Sequence, residues 1–292
     1  FVTGATGFVG SAVVQELLGA GHTVLGLARN SAAADRLRQL GVTVQRGDLT
    51  DLGSLTDGAS ACDAVIHTAF IHDFANIAAS GRTDLAAIDA IGGVLAGTTT
   101  TLVVTSGLAH GAPGQITTED APPGRNARAS HRTASDDATL ALAARGVRAM
   151  LVRLPPSVHG DGDHGLVPAL IAIARASGVS AYVGDGLNRW SAVHRLDAAP
   201  LFRLGVERGA AGATYHAVDD EGVPTREIAA VIGERLHLPV VSKTADEAAA
   251  HFGWLGAFFG ADVPSSSALT RERLGWRPTH ASLLDHDRYF MS

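Results

Sequence analysis

The sequence predicts an α/β fold, a doubly wound parallel sheet with a smaller C-terminal domain. Three observations predict it. A glycine-rich turn, Thr3-Gly4-Ala5-Thr6-Gly7-Phe8-Val9-Gly10, stands between an apolar start, Phe1-Val2, and a helical pattern of Val9, Val13, Val14, Leu17 and Leu18. Short apolar, β-rich runs then alternate with helical stretches through residue 153. Finally, 292 residues with 46% hydrophobic content are enough for one large core or two.

Strand, glycine turn and helix follow in the order of a Rossmann-type dinucleotide site. Gly4 allows a sharp exit from the strand, Gly7 lets the backbone approach a pyrophosphate, and Gly10 lets the helix pack close to the sheet. The helix N-terminus offers free N–H groups and a partial positive charge to phosphates. Gly4, Thr6, Gly7, Phe8, Val9 and Gly10 are therefore expected to touch a cofactor. A glycine-rich turn without a ligand is the alternative, and the placement between strand and helix argues against it.

Gly19-Ala20-Gly21 closes the first helix, and Thr23–Ala28 reads as the second strand. A protein choosing NAD usually carries an acid at the end of this strand to hold the ribose hydroxyls. Here the residues are Arg29-Asn30-Ser31. A guanidinium suits a 2′-phosphate, so NADP(H) is the expected cofactor, with a plain surface arginine as the alternative. Ser31 can cap a short helix containing Leu37 and Leu40, stopped by Gly41. The third strand, 42–45, runs into Arg46-Gly47-Asp48-Leu49, where Asp48 either accepts from an adenine amino group or caps its own turn. The fourth strand, 63–69, should present Thr68, Ala69 and the following Phe70 to the nucleotide crevice. A helix from about Asp84 to Leu95 leads to a fifth strand at 102–106, and a sixth follows at 147–153. Gly111 to Arg128 is a long Pro/Gly-rich loop suited to forming a wall of the site.

The bulk properties exclude several classes. No run of 18 apolar residues is present, so no membrane span is expected. The net charge is −6 without basic clusters, which argues against nucleic acid as a partner and leaves a small-molecule substrate. The single cysteine, Cys62, cannot form an intrachain disulfide and fits a reducing cytoplasm. The chain begins inside its first strand, so a few residues are expected ahead of Phe1. Nothing in the composition opposes a homodimer.

With TGATGFVG at 3–10, GDL at 47–49, VIHTA at 65–69, VVTSG at 103–107 and RLPPSVHG at 153–160, the sequence resembles an extended short-chain dehydrogenase/reductase of the NAD(P)-dependent epimerase/dehydratase type. GDG at 184–186, VHRLDAA at 193–199 and LGWRP at 274–278 extend the likeness over nearly the whole chain. The resemblance implies that Leu154, Pro155, Pro156 and Val158 contact the nicotinamide. It also implies an NADP-binding domain over 1–158, joined by a returning strand and helix near 190–215, and a mainly substrate-binding domain over 159–292.

That family normally uses Tyr-x-x-x-Lys, in which the lysine and the oxidised nicotinamide lower the tyrosine pKa for proton transfer. This chain departs from the pattern. Its tyrosines are Tyr182, Tyr215 and Tyr289, its one lysine is Lys243, and none has the required spacing. Alignment of residues 130–136 with the family's helix start puts Arg132 at the tyrosine position and Asp136 at the lysine position. Arg132 can stabilise an oxyanion but is a poor proton donor, and it can equally pair with Asp136 one helical turn away. Ser106 stands where the family places a substrate-binding hydroxyl, or else caps the next loop.

Histidines can exchange a proton near neutral pH, so His131, His159, His67 and His72 are candidates, with coincidence a real alternative among 13. The catalytic set is then Ser106, Arg132, His131 and His159. His72, Asp73 and Trp190 are candidate substrate contacts, Trp190 being ordinary core if it is not exposed. The run from His159 through Asp161 and Asp163 to His164 lacks the spacing of a calcium loop, and no metal is expected. Asp197 is read as holding the domain junction, and the apolar stretch 251–259 as core by default.

The leading expectation is an NADP(H)-dependent oxidoreductase reducing a small, apolar carbonyl, imine or conjugated compound. A non-redox isomerase, dehydratase or cyclase on the same fold is an alternative. So is a non-enzymatic NADP(H)-sensing regulator.

Overall fold

The computed structural model describes residues 1–108, 114–124, 130–285 and 289, the side chains of residues 74, 130, 254 and 257 excepted. Much of the loop expected at 111–128 lies outside the described residues.

In chain order the first half is β1 (Val2–Thr3), α1 (Phe8–Gly19), β2 (Leu25–Ala28), α2 (Ser31–Gln39), β3 (Thr43–Arg46), α3 (Leu52–Ser60), β4 (Ala64–His67), α4 (Ile77–Leu95), β5 (Thr101–Gly107), α5 (Ser130–Ala144) and β6 (Arg148–Leu154). The second half continues through β7 (Ser157–His159), α6 (Leu166–Ser177), β8 (Ser180–Val183), β9 (Arg189–His194), α7 (Arg195–Arg208), β10 (Thr214–His216), β11 (Asp220–Pro224) and α8 (Thr225–Leu236). It closes with β12 (Val240–Lys243), α9 (Ala245–Phe252), the single turn α10 (Gly256–Phe259) and α11 (Ala268–Leu274).

Seven parallel strands form the main sheet in the order β10-β6-β5-β4-β1-β2-β3. β1 lies between β2 and β4, so the strand order reverses beside it. In such sheets the ligand crevice opens at the carboxyl ends of the strands flanking this reversal. One face of the sheet packs on α1 and α7 through Val13, Val14, Leu201 and Phe202. The other packs on α3, α4 and α5 through Leu55, Ile88, Ile91 and Leu142. Each such side chain, once fully buried, stabilises the fold by about 1.5–3 kcal/mol.

Two small sheets, β11-β9-β7 and β12-β8, share a third core of Leu170, Ile171, Trp190, Ile228, Phe252 and Phe259. α1 and α7 run side by side with their N-termini together. Arg195 donates to the Phe8 carbonyl at 3.4 Å, and two turns later Arg203 donates to Glu16 at 2.7 Å.

Two boundaries differ from the sequence reading. The strand that returns to the main sheet is β10 at 214–216, whereas the strand near 190–194 is β9 of a small sheet. Of the returning strand and helix expected near 190–215, α7 lies in the Rossmann layer and the strand comes only at the far end, as β10. α4 begins at Ile77 rather than near Asp84. Its first turns contain Ser80 and Gly81, poor helix formers that a periodicity argument discards. Tertiary contact explains them: a Cβ at Gly81 would lie 2.2 Å from the His131 carbonyl oxygen, so glycine there lets α4 approach α5.

Candidate active site at the nucleotide crevice

The glycine turn has the geometry its residues suggest. Gly4 adopts φ +67°, a left-handed conformation that glycine enters without penalty, and Gly7 N–H donates to its carbonyl at 2.8 Å. A Cβ at Gly10 would lie 2.0 Å from that same carbonyl oxygen, so α1 reaches this position only as glycine. The N-cap Gly7 supplies no side-chain cap, and no acid occupies the first turn of α1. The leading N–H groups and the helix dipole are thus available to a phosphate. Thr6, Phe8 and Val9 are half-buried along this edge. Thr68 Oγ1 donates to the Thr3 carbonyl at 2.7 Å, and Ala69 N–H donates to Thr3 Oγ1 at 3.3 Å, locking the end of β4 against the turn.

At the far end of this edge, Arg29 is exposed just beyond β2. Asn30 is engaged: its side chain accepts from Ala33 N–H at 2.9 Å and caps α2. Asp48 accepts from both the N–H and the hydroxyl of Thr50, at 2.7 and 2.6 Å. The Thr50 bonds, with a smaller contribution from Arg29, hold its carboxyl below the usual range. The capping role considered for Asp48 is therefore realised. Leu49 is buried in the core beneath it. On the opposite strand ends, Leu108 N–H donates to Leu154 O at 2.8 Å, with Pro156 and Val158 half-buried and Pro155 buried beyond.

A buried polar chain connects this turn to α5. Thr3 Oγ1, which accepts from Ala69 N–H, also lies within hydrogen-bond distance of His67 Nδ1, 2.9 Å away. An ionised carboxylate only accepts, so His67 Nε2–H donates to Asp84 Oδ1 at 3.2 Å. Arg132 NH1 lies 3.5 Å from the same oxygen. Burial pushes Asp84 up, but the His67 bond and the Arg132 charge outweigh it and hold the carboxyl below its ordinary value. Arg132 also donates to the Thr105 carbonyl, and its guanidinium lies 4.4 Å from the centre of the Phe70 ring. The pairing considered between Arg132 and Asp136 is not the one formed. Arg132 reaches across to α4, and Asp136 accepts from Ser106 Oγ at 2.9 Å.

Around Arg132 stands a partly open group of rings. Phe70 packs edge-on to His72 at 5.1 Å and tilted on His131 at 5.9 Å. Partial burial in this crowded corner, together with the Arg132 charge, lowers the pKa of both histidines. His131 is the better placed of the two candidates on α5 and β7, because it flanks Arg132 directly. His159 is fully buried, its ring 5.3 Å from His194, among the small-sheet strands.

Other expected contacts are placed elsewhere. Trp190 has no exposed surface and donates to Phe258 O at 3.3 Å within the third core, so it is the ordinary core considered for it and not a pocket wall. Asp73 caps a short 3₁₀ turn, accepting from Ala75 N–H at 3.1 Å and Asn76 N–H at 3.3 Å. Asp163 accepts from Gly165 N–H at 2.7 Å within its own turn and from Tyr289 OH of the C-terminal segment at 2.5 Å. Asp197 accepts from Thr279 N–H, His280 N–H and His280 Nδ1 at 2.8–2.9 Å, holding the C-terminal segment to α7. Two members of the site were missed from sequence. Asp84 was read only as a helix start, and Arg153 only as the end of a strand.

A glycine cradle at the strand-order reversal, beside a polar cluster at the ends of β4 and β5, defines a dinucleotide-dependent enzyme fold. Residues 1–219 match the NAD dependent epimerase/dehydratase family, and the chain belongs to it. It is 49% identical over 298 residues to an uncharacterized protein of Schizosaccharomyces pombe, with 99% of each chain covered. It is 31% identical over 265 residues to the 2-alkyl-3-oxoalkanoate reductase of Stenotrophomonas maltophilia, covering 84% of this chain and 79% of that one. In fold it is similar to the dTDP-glucose 4,6-dehydratase DesIV of Streptomyces venezuelae, solved with NAD and TYD bound. The TM-score is 0.78 at 21% identity, over 99% of this chain and 95% of that one. Among the described residues no helix is long and apolar enough to cross a membrane.

Proposed function

We propose that the protein is an NADP(H)-dependent oxidoreductase that reduces a small, largely apolar carbonyl, imine or conjugated compound without the Tyr/Lys pair. The observation that carries this reading is the chain Thr3–His67–Asp84–Arg132. It begins on the dinucleotide turn and ends on a guanidinium beside Ser106's strand, so cofactor cradle and polar cluster belong to one crevice. The relationship to a protein named as a reductase of 3-oxoalkanoates supports the reaction type.

The cradle fits a dinucleotide, because the space a Cβ at Gly10 would fill is taken by the turn itself and the helix N-terminus faces outward uncapped. When bound, a reduced nicotinamide supplies hydride to the substrate carbon. The chain's own residues do the rest. Arg29 neutralises a 2′-phosphate, and Arg132 faces the negative charge that develops on the substrate oxygen. Asp84 and His67 hold that guanidinium in place. Phe70, His72 and His131 enclose the reacting group on its open side, with the pKa of each histidine lowered away from the charged form. Residues 159–292 supply most of the substrate wall.

The test is NADPH oxidation with a panel of ketones, aldehydes and imines, followed by absorbance. Turnover of at least one class is expected. NADPH binding without turnover of any of them would overturn the reading.

A further inference from the structure

At the end of β5, next to the Asp84–Arg132 pair, lies a second buried polar group. Ser106 and Asp136 are 3% and 2% exposed and joined by a 2.9 Å hydrogen bond. Asp136 Oδ1 has no hydrogen-bond partner among the described residues. Beside it, Arg153 stands opposite Ser106 in the β5/β6 register and is completely buried. It gives one N–H to the Ala121 carbonyl at 3.0 Å, while its Nε and second terminal nitrogen find no acceptor among the described residues. A buried carboxyl oxygen or guanidinium N–H that lacks a partner costs about 1–3 kcal/mol, more when charged. Groups of this kind in a native fold call for a reason, and a catalytic role is one.

We propose that Asp136 stores, as a neutral carboxyl, the proton that Ser106 delivers to the substrate oxygen. This rests on the carbonyl-reductase reading above. In the neutral state the Asp136 carboxyl donates to Ser106 Oγ, which frees the serine proton for the substrate. As hydride from a reduced nicotinamide reaches the carbonyl carbon, the C=O π pair moves to oxygen and takes the Ser106 proton. Ser106 recovers a proton from Asp136, and the carboxylate left behind faces Arg153 and Arg132. One hydride and one proton convert C=O to CH–OH, and solvent restores the Asp136 proton before the next cycle.

The groups facing Asp136 are Ser106 from β5, Arg153 from β6, Arg132 on α5 itself and Asp84 from α4. Burial is the largest influence and raises its carboxyl above the ordinary value, against the hydrogen bond from Ser106 and the two guanidinium charges. A raised carboxyl favours the neutral form that a proton store needs. Asp136 occupies the lysine position of the family's pair, so the helix keeps a titratable group there with the proton held differently. Because Asp136 acts through Ser106, it is a positioning and proton-supplying residue.

The experiment combines infrared difference spectroscopy with pH–rate profiles on the full chain. The protein minus Asp136→Asn difference spectrum at pH 7, without substrate, is expected to show a protonated-carboxyl carbonyl stretch that disappears as pH rises. The kcat of the unaltered protein is expected to fall over the same pH range. Asp136→Asn should lose that limb and about 100-fold in kcat, the low end of the range for a positioned acid, with NADPH affinity unchanged. Ser106→Ala should lose as much, and Ser106→Thr should recover most of it. An Asp136 ionised throughout in the infrared overturns the proposal whatever the protein reduces. So does an Asp136→Asn protein that binds NADPH normally and keeps the original pH–rate profile. Failure to reduce any carbonyl while the protonated band is present would instead overturn the functional reading, and the proton supply with it.

Discussion

The two ends of the crevice follow different logics. At the glycine turn the geometry is set by backbone: Gly4 turns, Gly10 admits the helix, and on the proposed reading the phosphates would meet N–H groups. At α5, recognition is made by side chains drawn from β1, β4, β5, β6, α4 and α5. A backbone site tolerates almost no substitution and keeps its sequence signature. A side-chain site can exchange its chemistry while the scaffold stays, and the resemblance puts Arg132 and Asp136 at the positions of tyrosine and lysine. The fold can therefore be assigned from one end while the reaction is decided at the other.

The largest expected effect lies at the side-chain end. Asp84→Ala strands His67 and Arg132 in the interior, and breaking a buried charge pair this way costs about 3–5 kcal/mol. Urea denaturation of the variant at pH 7 measures it. The sign of its pH dependence follows from the depressed carboxyl. The Asp84 contribution is present above the ordinary aspartate range and is lost as pH falls through the depressed value. The stability gap between protein and variant should therefore close in acid.

Gly10→Ala comes next. Its Cβ meets a backbone oxygen that cannot move aside, so about 3 kcal/mol of stability should go, together with cofactor binding. Gly7→Ala, whose Cβ would lie 3.2 Å from the same oxygen, should be milder in both respects. A reversed order in thermal melts would break the backbone half of the comparison.

On the NADP(H) reading, Arg29→Ala removes a charged partner of the 2′-phosphate, worth about 1.5–3 kcal/mol, and should weaken NADPH binding roughly 10- to 100-fold. NADH binding should be unchanged, which a fluorescence titration with each cofactor checks. The smallest effect belongs to Asp48. With its carboxylate already engaged by Thr50, Asp48→Ala should cost cofactor binding less than the loss at Arg29, within about 0.5–1.5 kcal/mol.

What the sequence disclosed follows the same division. Strands β1 to β6 and the turn are local patterns, each visible as an apolar run, a glycine spacing or a cap. The alignment of Ser106, Arg132 and Asp136 was also readable, since it depends on order along the chain. Their partners were not. Asp84 meets His67 from 17 residues away, and Asp136 meets Ser106 from 30, and no local rule connects such positions. β10 escaped because three residues, Thr214–His216, carry too short a period to register and are recruited by pairing with β6. α4 was shortened because Ser80 and Gly81 were chosen for packing against α5 and not for helix propensity. Trp190 shows the reverse case, an aromatic whose motif placement suggested a pocket and whose surroundings made it core.

The most direct test of the central claim is isotope transfer. Reduction of an accepted ketone with NADPH carrying deuterium at nicotinamide C4, on the transferred face, should place one deuterium on the product's carbinol carbon. In deuterated water with unlabelled NADPH, that carbon should carry none. Product lacking the cofactor's deuterium, or formed equally well by protein stripped of cofactor, would contradict a hydride-transferring oxidoreductase.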